Sequence, residues 1–231
     1  DIGVGDDGVT AVSLRRRVGS INNNWISQDV AVEFIGQFAE PIVGLHAVKD
    51  ADPAAIDQEF DYEGPPDATK WNIEEWPARK VNDEDQAYTS RSKNVRVENG
   101  NLVITAREAT GGEQCYYGDC QYTSARLISQ YKAEFAYGRI ESRLQVPTGG
   151  AGLWPAFWSL GTDITYNPWP GAGEIDFMEY VSRVPNKIFG TIHGPGYNGG
   201  GSFGGIYDFG ERVDLVYRTF VVEFDGLEAA P

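Results

Sequence analysis

The segment Gly171-Ala-Gly-Glu174-Ile-Asp176-Phe-Met-Glu179-Tyr180 sets three carboxylates among large apolar side chains in a stretch too short for a helix of ordinary length. Read as a strand, it places Glu174 and Asp176 on one face and Ile175 and Phe177 on the other, because side chains alternate. Glu179 breaks that parity. Five positions from Glu174, it would enter the apolar face unless one extra residue is inserted as a β-bulge, which returns it to the carboxylate side. Met178 is the expected extra residue.

Three acidic groups on one face raise one another's pKa and keep part of the set protonated near neutral pH. Glycoside hydrolysis uses that condition: one carboxylate attacks or stabilises the sugar carbon while another holds a proton for the departing oxygen. The plainer reading is a solvated or calcium-binding acidic strand. Against it stand Trp154, Phe157, Trp158 and Trp169, close upstream, since flat aromatic faces stack on sugar rings, although the same residues serve equally as core.

The rest of the chain reads as short strands joined by tight turns. Of its 231 residues 41% are hydrophobic and 13% aromatic, with 28 glycines and 12 prolines, and helical periodicity is scarce. That composition fits a sandwich or barrel with one sizeable core. Residues 95–105 are expected to form a hairpin, with alternating runs on either side of Asn99-Gly100, two residues that tolerate positive φ. A net charge of −15 repels nucleic acid and anionic membranes, so neither is an expected partner, whereas a neutral polysaccharide is tolerated.

The two cysteines, in Cys115-Tyr-Tyr-Gly-Asp-Cys120, are too far apart for a CxxC redox motif and lack the further ligands of a zinc site. A local disulfide is expected, and it implies export. No stretch is long and apolar enough to span a bilayer. The start, Asp1-Ile-Gly-Val-Gly-Asp-Asp, lacks the basic and apolar regions of a signal peptide, so the chain reads as mature, trimmed or fragmentary.

Four stretches carry a family resemblance: Tyr137-Gly-Arg-Ile-Glu-Ser-Arg143, Gly152-Leu-Trp-Pro-Ala-Phe-Trp-Ser-Leu-Gly161, Trp169-Pro-Gly-Ala-Gly-Glu-Ile-Asp-Phe-Met-Glu-Tyr-Val181 and Gly190-Thr-Ile-His-Gly194. They resemble glycoside hydrolase family 16, and within it the bacterial endo-β-1,3-glucanases, or laminarinases. That family's signature runs Glu, any residue, Asp, two residues, Glu. The resemblance therefore implies Glu174 as nucleophile, Asp176 as its hydrogen-bonding helper and Glu179 as general acid/base of a retaining mechanism, in the bulged form of the laminarinase, agarase and carrageenase branch rather than the unbulged lichenase branch. It further implies an all-β jelly-roll sandwich of two antiparallel sheets with a concave cleft, a β-glucan substrate and no cofactor for catalysis. A secreted monomer is expected.

The same resemblance puts Trp154 and Trp158 along the cleft floor as sugar contacts, with Trp169 beside them. It sets His193 next to the acidic strand. Asn82 falls in a segment, Asn82-Asp-Glu84-Asp-Gln86, that approaches the non-reducing part of the cleft in the family. Many members carry a structural calcium on the convex side. Here Glu59 offers one oxygen ligand, where calcium takes six or more.

Residues 1–56 do not resemble the family. Residues 9–17 and 30–38 have strand-like patterns and residues 50–56 read as a linker, so a β-rich appendage, or the tail of a preceding domain, is expected ahead of a catalytic domain at 57–231. Within that domain Arg139, Glu141 and Arg143 alternate onto one face, either supporting the carboxylates or forming an ordinary exposed surface. Family members continue for several strands beyond the equivalent of Pro231, so the jelly-roll is expected to be truncated at its C-terminus, with segment 1–56 as one candidate to fill the gap. Two other readings use the same residues: a non-catalytic glucan-binding jelly-roll, and the same hydrolytic chemistry on mixed-linkage glucan or a galactan such as agarose.

Overall fold

The computed structural model describes residues 60–135 and 138–224, together with three upstream strands, Ile2–Val4, Thr10–Val12 and Gln28–Ile35. Its described residues form strands and two short 3-10 turns, Gly199–Gly201 and Val213–Leu215. The largest sheet runs Phe203–Asp208, Lys187–His193, Glu174–Glu179, Trp154–Gly161, Gln28–Ile35, Arg126–Ile128, Asn72–Glu74, with Glu134–Phe135 also paired to Gln28–Ile35. Every pairing in it is antiparallel. A second sheet holds Ile2–Val4, Thr10–Val12, Arg218–Phe224 and Gly138–Leu144, and there Thr10–Val12 runs parallel to Arg218–Phe224. The expected hairpin forms between Val95–Glu98 and Asn101–Ile104, turning through Asn99 at φ 53° and Gly100 at φ 78°.

Apolar side chains from these layers meet in one core. Phe157, Phe177, Met178 and Ile188 come from the large sheet, Ile140, Leu144, Phe220 and Val222 from the second sheet, and Val95, Val97, Leu102 and Ile104 from the hairpin. Inward-facing side chains of the two layers, such as Val95 and Val97 alternating with half-buried Arg96 and Glu98, fill the space between them, which yields an all-β jelly-roll sandwich. Strands from upstream of residue 57 stand inside both sheets: Gln28–Ile35 lies between Trp154–Gly161 and Arg126–Ile128. The remainder of residues 1–59, including the expected linker at 50–56 and Glu59, lies outside the described residues. Gly138–Leu144 pairs along its length with Arg218–Phe224, and the Arg143 guanidinium lies 4.6 Å from the Tyr217 ring centroid. Arg143 therefore packs within the second sheet.

Cys115 and Cys120 are bonded, with Cα atoms 5.0 Å apart, and they staple a small hairpin of Gln114–Cys115 and Gly118–Asp119. This hairpin holds the loop at 77–85. The Ala78 N–H donates to Cys115 Sγ at 3.3 Å, the Tyr117 hydroxyl donates to the Asp85 carbonyl at 2.7 Å, and the Arg79 guanidinium lies 4.7 Å from the Tyr117 ring centroid.

Candidate active site

The acidic strand enters the sheet through a close approach that only glycine permits. A Cβ on Gly161 would lie 2.0 Å from the Ala172 carbonyl oxygen, and the Gly161 N–H donates to the Gly173 carbonyl at 3.0 Å. From there the ladder to Trp154–Gly161 runs Leu160 to Glu174, Ser159 to Ile175, Trp158 to Asp176, Phe157 to Met178 and Ala156 to Glu179. The bulge is present, but the residue skipped in this ladder is Phe177, not Met178. On the other flank Asp176 faces Thr191 and Glu179 faces Phe189, so Phe177 and Met178 together stand opposite Gly190. The core supplies the reason. Both side chains are buried in it, Phe177 edge-on to Phe157 with ring centroids 5.0 Å apart. Two consecutive residues facing inward restore Glu179 to the side of Glu174 and Asp176.

On that face Glu179 is held at both oxygens: Oε1 accepts from Trp154 Nε1 at 2.9 Å and Oε2 from the Thr191 hydroxyl at 3.3 Å. His193 Nε2 lies 3.2 Å from Asp176 Oδ2 and 3.6 Å from Glu174 Oε1, while its Nδ1 accepts the Gly199 N–H at 3.2 Å. The Trp169 ring centroid is 5.9 Å from that of His193, and Trp169 is 44% exposed, at the rim.

Burial sets the electrostatics. It pushes Glu174 up to about 8, with the Asp176 charge adding to the rise and His193 opposing it. It pushes Glu179 up to about 7, again with Asp176 adding, while the hydrogen bonds from Trp154 and Thr191 pull the other way. His193 is raised above the ordinary imidazole value, first by its hydrogen bond with Asp176 and then by the charges of Asp176, Glu174 and Glu179, against the effect of burial. Glu174, Asp176 and His193 bring one polar atom each to within 4.8 Å of one another, with the imidazole contacting both carboxyls, so their protons are shared among the three.

The cleft face continues across the sheet. Trp158, 7% exposed, packs with Ala156, Ile128 and Leu160, and the Arg126 guanidinium lies 4.6 Å from its ring centroid and 4.5 Å from that of Trp76. Arg126 Nε also pairs with Glu74 Oε2 at 2.6 Å.

The family described as "XgeA-like, catalytic GH16 domain" matches residues 60–197. The chain belongs to glycoside hydrolase family 16. Among relatives, this family 16 chain is 43% identical over 143 residues to a beta-glucanase of Rhodothermus marinus, a match covering 61% of this chain and 48% of that protein. It is 36% identical over 170 residues to a glucan endo-1,3-beta-glucosidase of Cryptopygus antarcticus, covering 73% and 58%. It thus spans about half the length of these relatives. The solved catalytic domain of an endo-1,3-beta-glucanase (laminarinase) from Thermotoga petrophila superposes with a TM-score of 0.67 at 38% identity, covering 78% of this chain and 70% of that one.

Of the residues singled out from the family 16 resemblance, the structure gathers Glu174, Asp176, Glu179, His193, Trp154 and Trp169 around one point, with Trp158 beside Asp176 in the ladder. Asn82 sits apart in the stapled loop, where its amide donates to the buried Glu84 at 3.1 Å. Two contributions escape a reading of the sequence. Thr191 could have been found as the residue two before His193, on the same strand face. Arg126 carries no local signal, since it is a single arginine in a short strand whose aromatic partners come from elsewhere in the chain.

Proposed function

We propose that the chain is a retaining endo-β-1,3-glucanase acting on laminarin-like glucans. The observation that carries this reading is a carboxyl raised to about 7 and held at both oxygens by donors, on the same strand face as a second raised glutamate. A general acid works best with a pKa near the working pH, and Glu179 meets that condition. Glu174 attacks the anomeric carbon. Glu179 protonates the departing glucosyl oxygen and later takes a proton from the incoming water. For attack Glu174 must be ionised. The charge on Asp176 opposes this and the proton shared through His193 favours it, so Asp176 and His193 set the charge of the nucleophile. The reaction so described uses side chains alone.

The names of the relatives support a β-glucan substrate, and the trio of intact carboxylates supports turnover over simple binding. The Cys115–Cys120 disulfide supports action outside the cell. Incubation with laminarin, lichenan and agarose, following reducing ends, tests the substrate. Release from laminarin with the β-anomer formed first is expected; hydrolysis of agarose alone, or first formation of the α-anomer, overturns the reading.

A further inference from the structure

His193 is bound on both ring nitrogens, and the two contacts make different demands. Gly199 lies in the glycine loop that follows the histidine strand, at φ +51° in the turn Gly199–Gly201, and its backbone N–H points at Nδ1. An N–H can donate there only while Nδ1 keeps its lone pair, which fixes the neutral imidazole as the Nε2–H tautomer, with its proton directed at Asp176. The acidic strand makes the opposite demand. Asp176, Glu174 and Glu179 all face the ring from that side and favour a second proton; from the loop before the acidic strand comes the uncharged Trp169 ring, and from the glycine loop the Gly199 N–H. A second proton can go only to Nδ1, where it would meet the Gly199 N–H head-on.

We propose that the loop at residues 194–202 and the charge on His193 form one two-state device: docked through Gly199 on a neutral imidazole, released from an imidazolium. Protonation moves one proton from solvent to Nδ1 and leaves the Gly199 N–H to water, so whatever favours one state favours the other by the same factor. The loop's own bonds allow release. Its backbone and amide bonds, the reciprocal pair of Gly194 with Tyr197, the 3.3 Å contact of the Asn198 amide with the Gly194 carbonyl and the turn bonds at Gly201 and Ser202, stay within the loop. The Tyr197 ring packs on Phe203 of the next strand with centroids 5.1 Å apart and anchors the loop's start, so the part that moves is the turn carrying Gly199. The consequence for turnover rests on the proposed glucanase reading: a positively charged His193 eases ionisation of Glu174, so release of the loop readies the nucleophile, and a substrate that lifts the loop does so at higher pH.

The device itself is testable without substrate. The chain has two histidines, so imidazole nitrogen–proton correlation spectra of the isotopically labelled protein contain two ring systems. Assignment comes from His46→Gln or, if that variant folds poorly, from ring contacts with Trp169. At alkaline pH His193 should be the Nε2–H tautomer, with Gly199 amide exchange slowed relative to Gly200 and Gly201. As pH falls through the His193 titration, that protection should drop about tenfold with the same midpoint. In His193→Phe, which keeps a flat ring but has no acceptor in place of Nδ1, Gly199 should be unprotected at every pH. An Nδ1–H tautomer at alkaline pH, or protection of Gly199 that ignores the His193 titration, overturns the proposal. Either result leaves the glucanase reading standing, since no glucan enters the measurement.

Discussion

The indole N–H of Trp154 donates to Oε1 of Glu179 at 2.9 Å, so a residue expected to supply stacking area also lowers the pKa of a carboxyl that burial raises. Trp154→Phe keeps most of the ring and removes the donor. Because that bond pulls Glu179 down, its loss should move the alkaline limb of the kcat/KM profile on laminarin to higher pH by roughly half to one unit. An unmoved limb with weaker substrate binding would confine Trp154 to sugar contact.

Glu179→Ala separates protonation from attack. A glucoside with a dinitrophenolate leaving group departs without a proton, so its first step should be nearly spared while laminarin hydrolysis collapses. The alkaline limb set by a group near pH 7 should vanish with the carboxyl. Equal losses on both substrates would remove Glu179 from the acid role.

Glu174→Ala should cost on the order of 10⁴-fold or more in turnover with the fold intact. Added azide should then restore reaction in the cavity left behind, giving a glycosyl azide of inverted configuration, detected by NMR. Substantial unaided turnover would place the nucleophile elsewhere.

The raised carboxyls make stability fall with alkali. Glu174 and Glu179 hold their protons to about 8 and about 7 in the folded protein but release them near 4.5 once unfolded. The folded state is therefore favoured fully below about pH 4.5, and that share of stability is lost as pH rises through 7 to 8; the raised His193 acts in the same direction above the ordinary imidazole value. Thermal melts should show Tm dropping by several degrees between pH 5 and 9, and Glu174→Gln should flatten the decline. A Tm that rises across this range would contradict burial as the source of the shifts.

Parity along the bulged strand can be tested by deletion. Removing either Phe177 or Met178 leaves Glu179 four positions from Glu174 and on the same face of a now regular strand, so reduced activity should survive. Removing both leaves three positions and turns Glu179 into the core, which should abolish activity. Met178→Leu should cost less than about 1.5 kcal/mol, whereas Phe177→Ala, emptying the space beside Phe157, should cost about 3–5 kcal/mol. Circular dichroism and laminarin turnover on the folded variants decide it.

Much of this site could be read locally. The alternation of Glu174 with Asp176, the displaced parity of Glu179 and the Asn99-Gly100 turn are short-range features in which each residue's face follows from its neighbours. Which of Phe177 and Met178 is skipped could not be read, because both suit the core and only the partner ladder decides between them. The donors on Glu179 depend on register with two other strands, and Arg126 finds its place between Trp76 and Trp158 only when three separate segments come together. For the same reason the position of Gln28–Ile35 inside the large sheet had no local signature: its pattern says strand, and only the vacant edges of Trp154–Gly161 and Arg126–Ile128 say where.

The stapled hairpin at Cys115–Cys120 closes so few residues that it limits the freedom of the unfolded chain only slightly, by about 2 kcal/mol. Its effect is regional. Tyr117 inside it grips Asp85 and carries Arg79, and Cys115 receives the Ala78 N–H, so the strip leading from Trp76 to Asn82 is moored to it. Thiol reduction should therefore lower the cooperative melt of the whole molecule by only several degrees while admitting a protease to residues 77–85, so that one end of the cleft loosens independently of the carboxylates.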